Sequence, residues 1–100
     1  QEVTHPVVRT HPKTGRCALY VNPGFTVRLE DLPKDEAAEL LGELLNQVSK
    51  PEFQFRHVWQ PHDLVFWDNR CTMHHATPYD TQFTRHMHRT TVKGDRPFAA

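Results

Sequence analysis

Cysteine is scarce in this 100-residue sequence, which contains only Cys17 and Cys71. The two residues are far apart and form neither a CxxC pair nor the dense pattern of a disulfide-stabilised secreted domain. We therefore expect two free thiols and a reducing, cytoplasmic compartment. A thiolate at Cys71 could bind a metal, but a small side chain that fills space in its turn is the simpler interpretation.

The sequence also lacks an excess of charge of either sign and any long apolar segment. Twelve basic residues balance twelve acidic ones, which gives a formal net charge of zero. Nothing therefore favours binding to nucleic acid or to an anionic membrane surface. The longest apolar run, Cys17–Val21, has five residues, against the ~20 of a membrane-spanning helix. A chain of 100 residues is long enough for one soluble domain. Its start at Gln1 suggests a fragment or a processed product.

Short strand-like segments separated by turn residues predict a mainly β fold with one helix. Val3–Thr10 and Cys17–Val21 flank a Pro/Gly turn and are expected to form a hairpin. Asp35–Val48 carries apolar residues at helical spacing, and this leucine-rich stripe is expected to cover a sheet. Phe53–Trp59 and Leu64–Trp67 have the pattern of half-buried strands. Roughly four to six short strands with a single helix predict a double-sheet jelly roll.

The stretch that carries the chemistry runs from Trp67 through a polar turn to His74 and continues in a basic segment around Arg85 and Arg89. His74 precedes Arg85 by eleven positions, and Arg89 follows four positions later. Alternate residues of an extended segment share a face, so the two arginine side chains leave the backbone about 13 Å apart on one side. Since arginine binds carboxylates through two parallel hydrogen bonds, this is the layout of an anion-binding metal site.

This layout resembles the taurine dioxygenase (TauD/TfdA) family of Fe(II)/2-oxoglutarate-dependent enzymes. The resemblance extends in order along nearly the whole chain. The segments that carry it are His5–Pro12, Thr14–Arg16, Tyr20–Asn22, Lys50–Phe53, Trp59–Pro61, Asp63–Leu64, Trp67–Arg70, Met87–Arg89 and Gly94–Pro97. The resemblance implies that residues 1–100 are the C-terminal part of a dioxygenase domain with a double-stranded β-helix, or jelly-roll, fold.

The resemblance also implies a role for each site residue. His74, after the Trp-Asp-Asn-Arg turn, is the last of the family's three Fe(II) ligands. Arg85 binds the C5 carboxylate of 2-oxoglutarate, Arg89 faces the anionic group of the substrate, and Phe25 lines the substrate pocket. Two histidines and one carboxylate leave three positions on Fe(II) for 2-oxoglutarate and dioxygen. The implied reaction is hydroxylation of a small sulfonate, sulfate or carboxylate, with succinate and CO2 as co-products.

The sequence departs from the family pattern at two points. His75 stands where the family tends to have an aromatic residue, so His75 is an alternative ligand, although the spacing to Arg85 is kept from His74. The family's His-x-Asp/Glu pair, which supplies the other two ligands, is absent. His62 and Asp63 are adjacent rather than separated by one residue. The upstream metal ligands and the identity of the substrate are therefore not given by this sequence.

Two other functions stay open on the sequence alone. Eight histidines would suit a divalent-metal-binding module, although zinc sites prefer local His-x3-5-His or CxxC pairs. The histidines concerned are His74, His75, His86 and His88. The second alternative is a non-catalytic jelly-roll remnant that pairs through its open sheet edges as a homo-oligomer. His5 and His11, each followed by proline, are interpreted as surface or capping residues rather than ligands.

Overall fold

A β-hairpin opens the chain in the computed structural model, which describes residues 1–99. Strand β1 (Val8–Thr10) pairs antiparallel with β2 (Cys17–Leu19), and Arg9 faces Ala18 across the pair. The connecting turn is closed by the His11 N–H, which donates to the Arg16 carbonyl at 2.8 Å. Both strands are shorter than the sequence indicates, but the predicted hairpin is confirmed.

Phe98, near the end of the described residues, lies beside this hairpin. The Thr10 N–H donates to the Phe98 carbonyl over 2.9 Å, so the chain returns to β1 at this point. Three consecutive residues at this point, Arg9, Thr10 and His11, are buried although each has a polar side chain. The hairpin therefore holds its polar residues in the interior, where each donor and acceptor needs a partner.

The helix α1 spans Lys34–Val48 and confirms the predicted Asp35–Val48. Pro33 precedes its first turn, and Asp35 and Glu36 place negative charge where the helix dipole favours it. The leucine stripe is expected to cover a sheet, but the described part of the chain shows no extensive packing of α1 on β1 or β2. Ala37 is its one buried residue, whereas Leu40 remains 40% exposed.

The remaining predicted strands do not form within the described residues. Phe53 ends a short 3-10 helix (Pro51–Phe53), and residues 54–59, 64–67 and 85–89 contain no strand. A strand needs a hydrogen-bonded neighbour, and residues 1–99 offer one only to β1 and β2. The four to six strands expected from the sequence are thus corrected to two. The jelly roll is not formed by this part of the chain, although a sheet and a single helix are present.

Very little apolar surface is enclosed. The buried apolar residues in the described part are Val21, Leu29 and Ala37. Phe55 and Leu64, by contrast, are 90% and 94% exposed. The residues described include no helix long and apolar enough to cross a membrane.

Candidate metal and anion site

A tight turn between Trp67 and His74 leads into the candidate site. The backbone carbonyl of Asp68 accepts the N–H of Cys71 at 3.3 Å and the N–H of Thr72 at 3.0 Å. The Thr72 hydroxyl donates to the same carbonyl over 2.6 Å. The Trp67 indole N–H donates to Asn69 Oδ1 at 2.8 Å. Asp68 is therefore the residue on which the turn closes, and His74 follows two residues after its end.

Asp68 also forms an ion pair with Arg70. Arg70 Nε and its backbone N–H each lie 2.9 Å from Asp68 Oδ1, and a second guanidinium nitrogen lies 2.9 Å from Oδ2. The hydrogen bonds from the Arg70 side chain and then from His11 hold the pKa of the Asp68 carboxyl well below its usual range. The same carboxylate raises the pKa of Arg70. The turn is thus closed by a charged, two-point contact as well as by its backbone.

The rings of His74 and Trp67 are in contact. Their centres are 4.8 Å apart, with the planes inclined at 44°, and His74 is otherwise exposed. Arg89 approaches the same indole, with its guanidinium carbon 5.9 Å from the ring centre. The structure therefore brings His74 and Arg89 together around Trp67, although fifteen positions separate them in the sequence.

Arg85 and Phe25 lie in other surroundings. The Arg85 guanidinium sits 5.2 Å from the Tyr79 ring centre, donates to the Thr77 carbonyl at 3.3 Å and contacts the Met87 sulfur at 3.2 Å. None of the ion pairs within residues 1–99 includes Arg85 or Arg89. Phe25 follows a turn and is 87% exposed. Both arginines are consequently available to an external anion, and no ring contact of residues 1–99 joins Arg85 or Phe25 to His74.

A second group of polar side chains, which the sequence did not reveal as a group, joins the hairpin to the turn. His11 Nε2 lies 2.9 Å from Asp68 Oδ2, across 57 positions of the sequence. The ligand atoms of His11, Asp68 and Cys71 lie within 4.8 Å of one another, which is close enough for a shared metal ion. These residues also border a cavity of about 530 Å³. A separation this long leaves no local spacing signal from which the pairing could have been read.

The hydrogen bonds within this group argue against a metal ion there. His11 Nδ1 accepts the backbone N–H groups of Lys13 and Thr14 at 3.1 and 3.2 Å. A neutral imidazole carries one proton, so the proton sits on Nε2 and is donated to Asp68. The nitrogen that faces Asp68 thus has no lone pair for a metal, and Arg70 occupies the carboxylate. His11 caps its turn, as one interpretation of the sequence proposed.

The fit of the described residues to an iron ion is partial. His74 offers an exposed imidazole, which is a suitable nitrogen ligand for Fe(II). Among residues 1–99, no group of three His, Cys, Asp or Glu ligands includes His74, His75, His86 or His88. The histidine-rich metal module therefore gains no support from this part of the chain. His74 would supply one protein ligand for such an ion, and two further ligands would have to come from elsewhere.

Comparison with known proteins identifies a family that matches most of the chain. Residues 1–91 match the model of the taurine catabolism dioxygenase TauD, TfdA family. The chain is 39% identical, over 94 residues, to the alpha-ketoglutarate-dependent 2,4-dichlorophenoxyacetate dioxygenase of Burkholderia sp. (strain RASC), covering 94% of this chain and 31% of that protein. It is 39% identical to the alpha-ketoglutarate-dependent sulfonate dioxygenase of Saccharomyces cerevisiae, covering 93% of this chain and 23% of that protein.

A third relative has a name of a different kind. Pentalenolactone F synthase of Streptomyces arenae is 38% identical over 93 residues, which are 93% of this chain and 31% of that protein. The chain thus spans about a third or less of the length of these relatives. Their names cover a sulfonate, a phenoxyacetate and a synthase reaction, so similarity alone does not select one substrate.

Proposed function

Because the chain belongs to the taurine catabolism dioxygenase TauD, TfdA family, we propose that it is the C-terminal part of an Fe(II)/2-oxoglutarate-dependent dioxygenase. The complete domain would have the family's jelly-roll fold, of which residues 1–99 form one hairpin, one helix and the turn before His74. The chain covers a third or less of these relatives' length, which supports its being one part of a longer domain. So does the absence of a His-x-Asp/Glu pair from the sequence.

The contact of His74 and Arg89 with one indole is the observation that carries the proposal. A metal ligand and a cation that share Trp67 would hold an anionic substrate close to the metal. Bound Fe(II) would supply the oxidative chemistry, in which 2-oxoglutarate and dioxygen are consumed and succinate and CO2 are released with the hydroxylated substrate. The chain itself supplies one imidazole ligand and the fixed positive charges.

The two arginines have separate tasks in this proposal. Arg85 binds the C5 carboxylate of 2-oxoglutarate, because a planar guanidinium matches a carboxylate with two hydrogen bonds. Arg89 binds the anionic group of the primary substrate, and Phe25 contributes an apolar wall to its pocket. The substrate class is a small sulfonate, sulfate or carboxylate, which agrees with two of the relatives' names. A reducing, cytoplasmic setting belongs to the same proposal, since both thiols are free.

The test uses the complete protein that contains this chain. Anaerobic titration with Fe(II) and 2-oxoglutarate should produce the charge-transfer absorption of the ternary complex. Admission of dioxygen should then release succinate, faster in the presence of an alkyl sulfonate, an alkyl sulfate or a phenoxyacetate than without a primary substrate. A protein that gives no such absorption, or whose succinate release ignores all three anions, would disprove the proposed function.

A further inference from the structure

His11 links the hairpin to the turn that leads to His74. It is 9% exposed, and both of its ring nitrogens are engaged. Nδ1 accepts from the backbone of Lys13 and Thr14, and Nε2 donates to Asp68. The ring therefore bridges two segments that are far apart in the sequence, and its orientation is fixed from both sides.

The Asp68 end of this bridge determines where the turn begins. The carbonyl of Asp68 closes the turn through Cys71 and Thr72, while its carboxylate is held by Arg70 and His11. Arg70 is only two residues away and moves with the turn. His11 is the contact that ties Asp68 to a different part of the fold. Without it, Asp68 would lose its hydrogen bond to the hairpin, and the turn would be held only by its own hydrogen bonds and would open more readily.

The attachment matters because a metal ligand must be held to within about half an ångström of its productive position. His74 follows the turn and packs on Trp67, which precedes the turn. A shift of Asp68 would therefore move His74 in two ways. It would move the backbone of the turn that leads to His74, and it would move the Trp67 indole on which the His74 ring packs. Groups that orient a metal ligand typically change metal affinity roughly 10–100-fold when they are removed.

From these contacts we propose that His11 is a positioning residue for the metal ligand His74, acting through Asp68. The inference rests on the proposed function, in which His74 binds Fe(II). His11 touches neither the metal nor the substrate. Its task is to fix the Asp68 carboxylate against the β1–β2 turn.

Two amide substitutions separate this role from the local capping of the hairpin turn. In His11→Gln the amide nitrogen reaches the place of Nε2 and can donate to Asp68, but nothing stands at Nδ1. In His11→Asn the amide oxygen reaches the place of Nδ1 and can accept from Lys13 and Thr14, but nothing reaches Asp68. The pair is matched in polarity and charge, so the two variants differ in which contact survives.

The experiment compares wild type, His11→Gln and His11→Asn of the complete protein. Fe(II) dissociation constants are measured anaerobically with saturating 2-oxoglutarate. Amide hydrogen exchange at Cys71 and Thr72 is measured without metal. We expect His11→Gln to stay within about threefold of wild type in both quantities. His11→Asn should bind Fe(II) roughly 10–100-fold more weakly and exchange faster at these two amides.

Equal behaviour of the two variants, or better retention by His11→Asn, would overturn the positioning role, because capping alone would then account for His11. Failure of the proposed function has a different signature. A wild-type protein without Fe(II) and 2-oxoglutarate binding would refute that function, while the exchange comparison would still decide whether His11 anchors the turn.

Discussion

The ring of His74 rests against the indole of Trp67 with a centre-to-centre distance of 4.8 Å. The two residues flank the turn that Asp68 closes, so the turn brings the end of an apolar segment back to the imidazole that follows it. The indole restricts the imidazole on one side and leaves it exposed on the others. A histidine in this situation can bind a metal without first breaking a hydrogen bond of the described turn.

Replacement of His74 should therefore abolish the metal site. In the complete protein, His74→Ala removes one of three ligands, and we expect loss of the charge-transfer absorption with Fe(II) and 2-oxoglutarate and loss of succinate release. His75→Ala and His88→Ala serve as matched controls. Neither imidazole ring packs on Trp67 within the described part, and both variants should keep Fe(II) binding within a few-fold. A normal charge-transfer absorption in His74→Ala would refute His74 as the ligand. Loss of the absorption in His75→Ala instead would assign the ligand to His75.

Arg85 and Arg89 should affect different kinetic constants. Arg85→Gln should raise the KM for 2-oxoglutarate, whereas Arg89→Gln should chiefly raise the KM for the primary substrate. Loss of a desolvated, two-point arginine–carboxylate pair costs on the order of 2–5 kcal/mol, which is roughly 30- to several-thousand-fold in binding. Steady-state kinetics with each substrate varied in turn provides the measurement. Equal effects of both variants on both constants would show that the two cations share one role.

The ion pair of Asp68 and Arg70 should make a pH-dependent contribution to stability. The pKa of Asp68 lies below that of the unfolded chain, since Arg70 and His11 both stabilise the ionised form. A lowered folded pKa means that the unfolded state takes up the proton first as pH falls. The contribution is therefore complete above the ordinary carboxyl pKa of about 3.9 and is lost progressively as pH falls towards the folded value.

Asp68→Asn tests this dependence in the complete protein. The free energy of unfolding should be lower than that of wild type at pH 7, and the difference should shrink below about pH 4. Asp80→Asn is a suitable control, because Asp80 accepts the backbone N–H of Gln82 two residues on, as Asp68 does with Arg70, but forms no ion pair with an arginine within residues 1–99. At pH 7, Asp80→Asn should lower the free energy of unfolding by less than Asp68→Asn does. A wild-type advantage over Asp68→Asn that grows in acid would contradict the sign of the shift.

The features that the sequence predicted correctly depend on local interactions. Helix α1 has its apolar residues, its preceding proline and its acidic first turn within sixteen residues, and the hairpin depends on a connection of six residues between its strands. Strands at 53–59 and 64–67 require partners that the pattern of one segment does not identify. The bridge between His11 and Asp68 is the extreme case. Both residues lie in segments that resemble the family, yet only the structure shows the hydrogen bond between them.

The isolated 100-residue chain should be inactive and should self-associate. Few apolar side chains are buried, and large ones such as Phe55, Leu64 and Phe66 are at least 90% exposed. Exposed apolar surface and unpaired strand edges promote association between copies. A single imidazole cannot hold Fe(II) in the geometry that oxygen activation needs. Light scattering on the purified chain should therefore show species larger than a monomer, and added Fe(II), 2-oxoglutarate and an anionic substrate should release no succinate. The complete protein is the positive control for the assay. A monomeric chain that releases succinate at a comparable rate would show that residues 1–100 contain all the ligands the reaction requires.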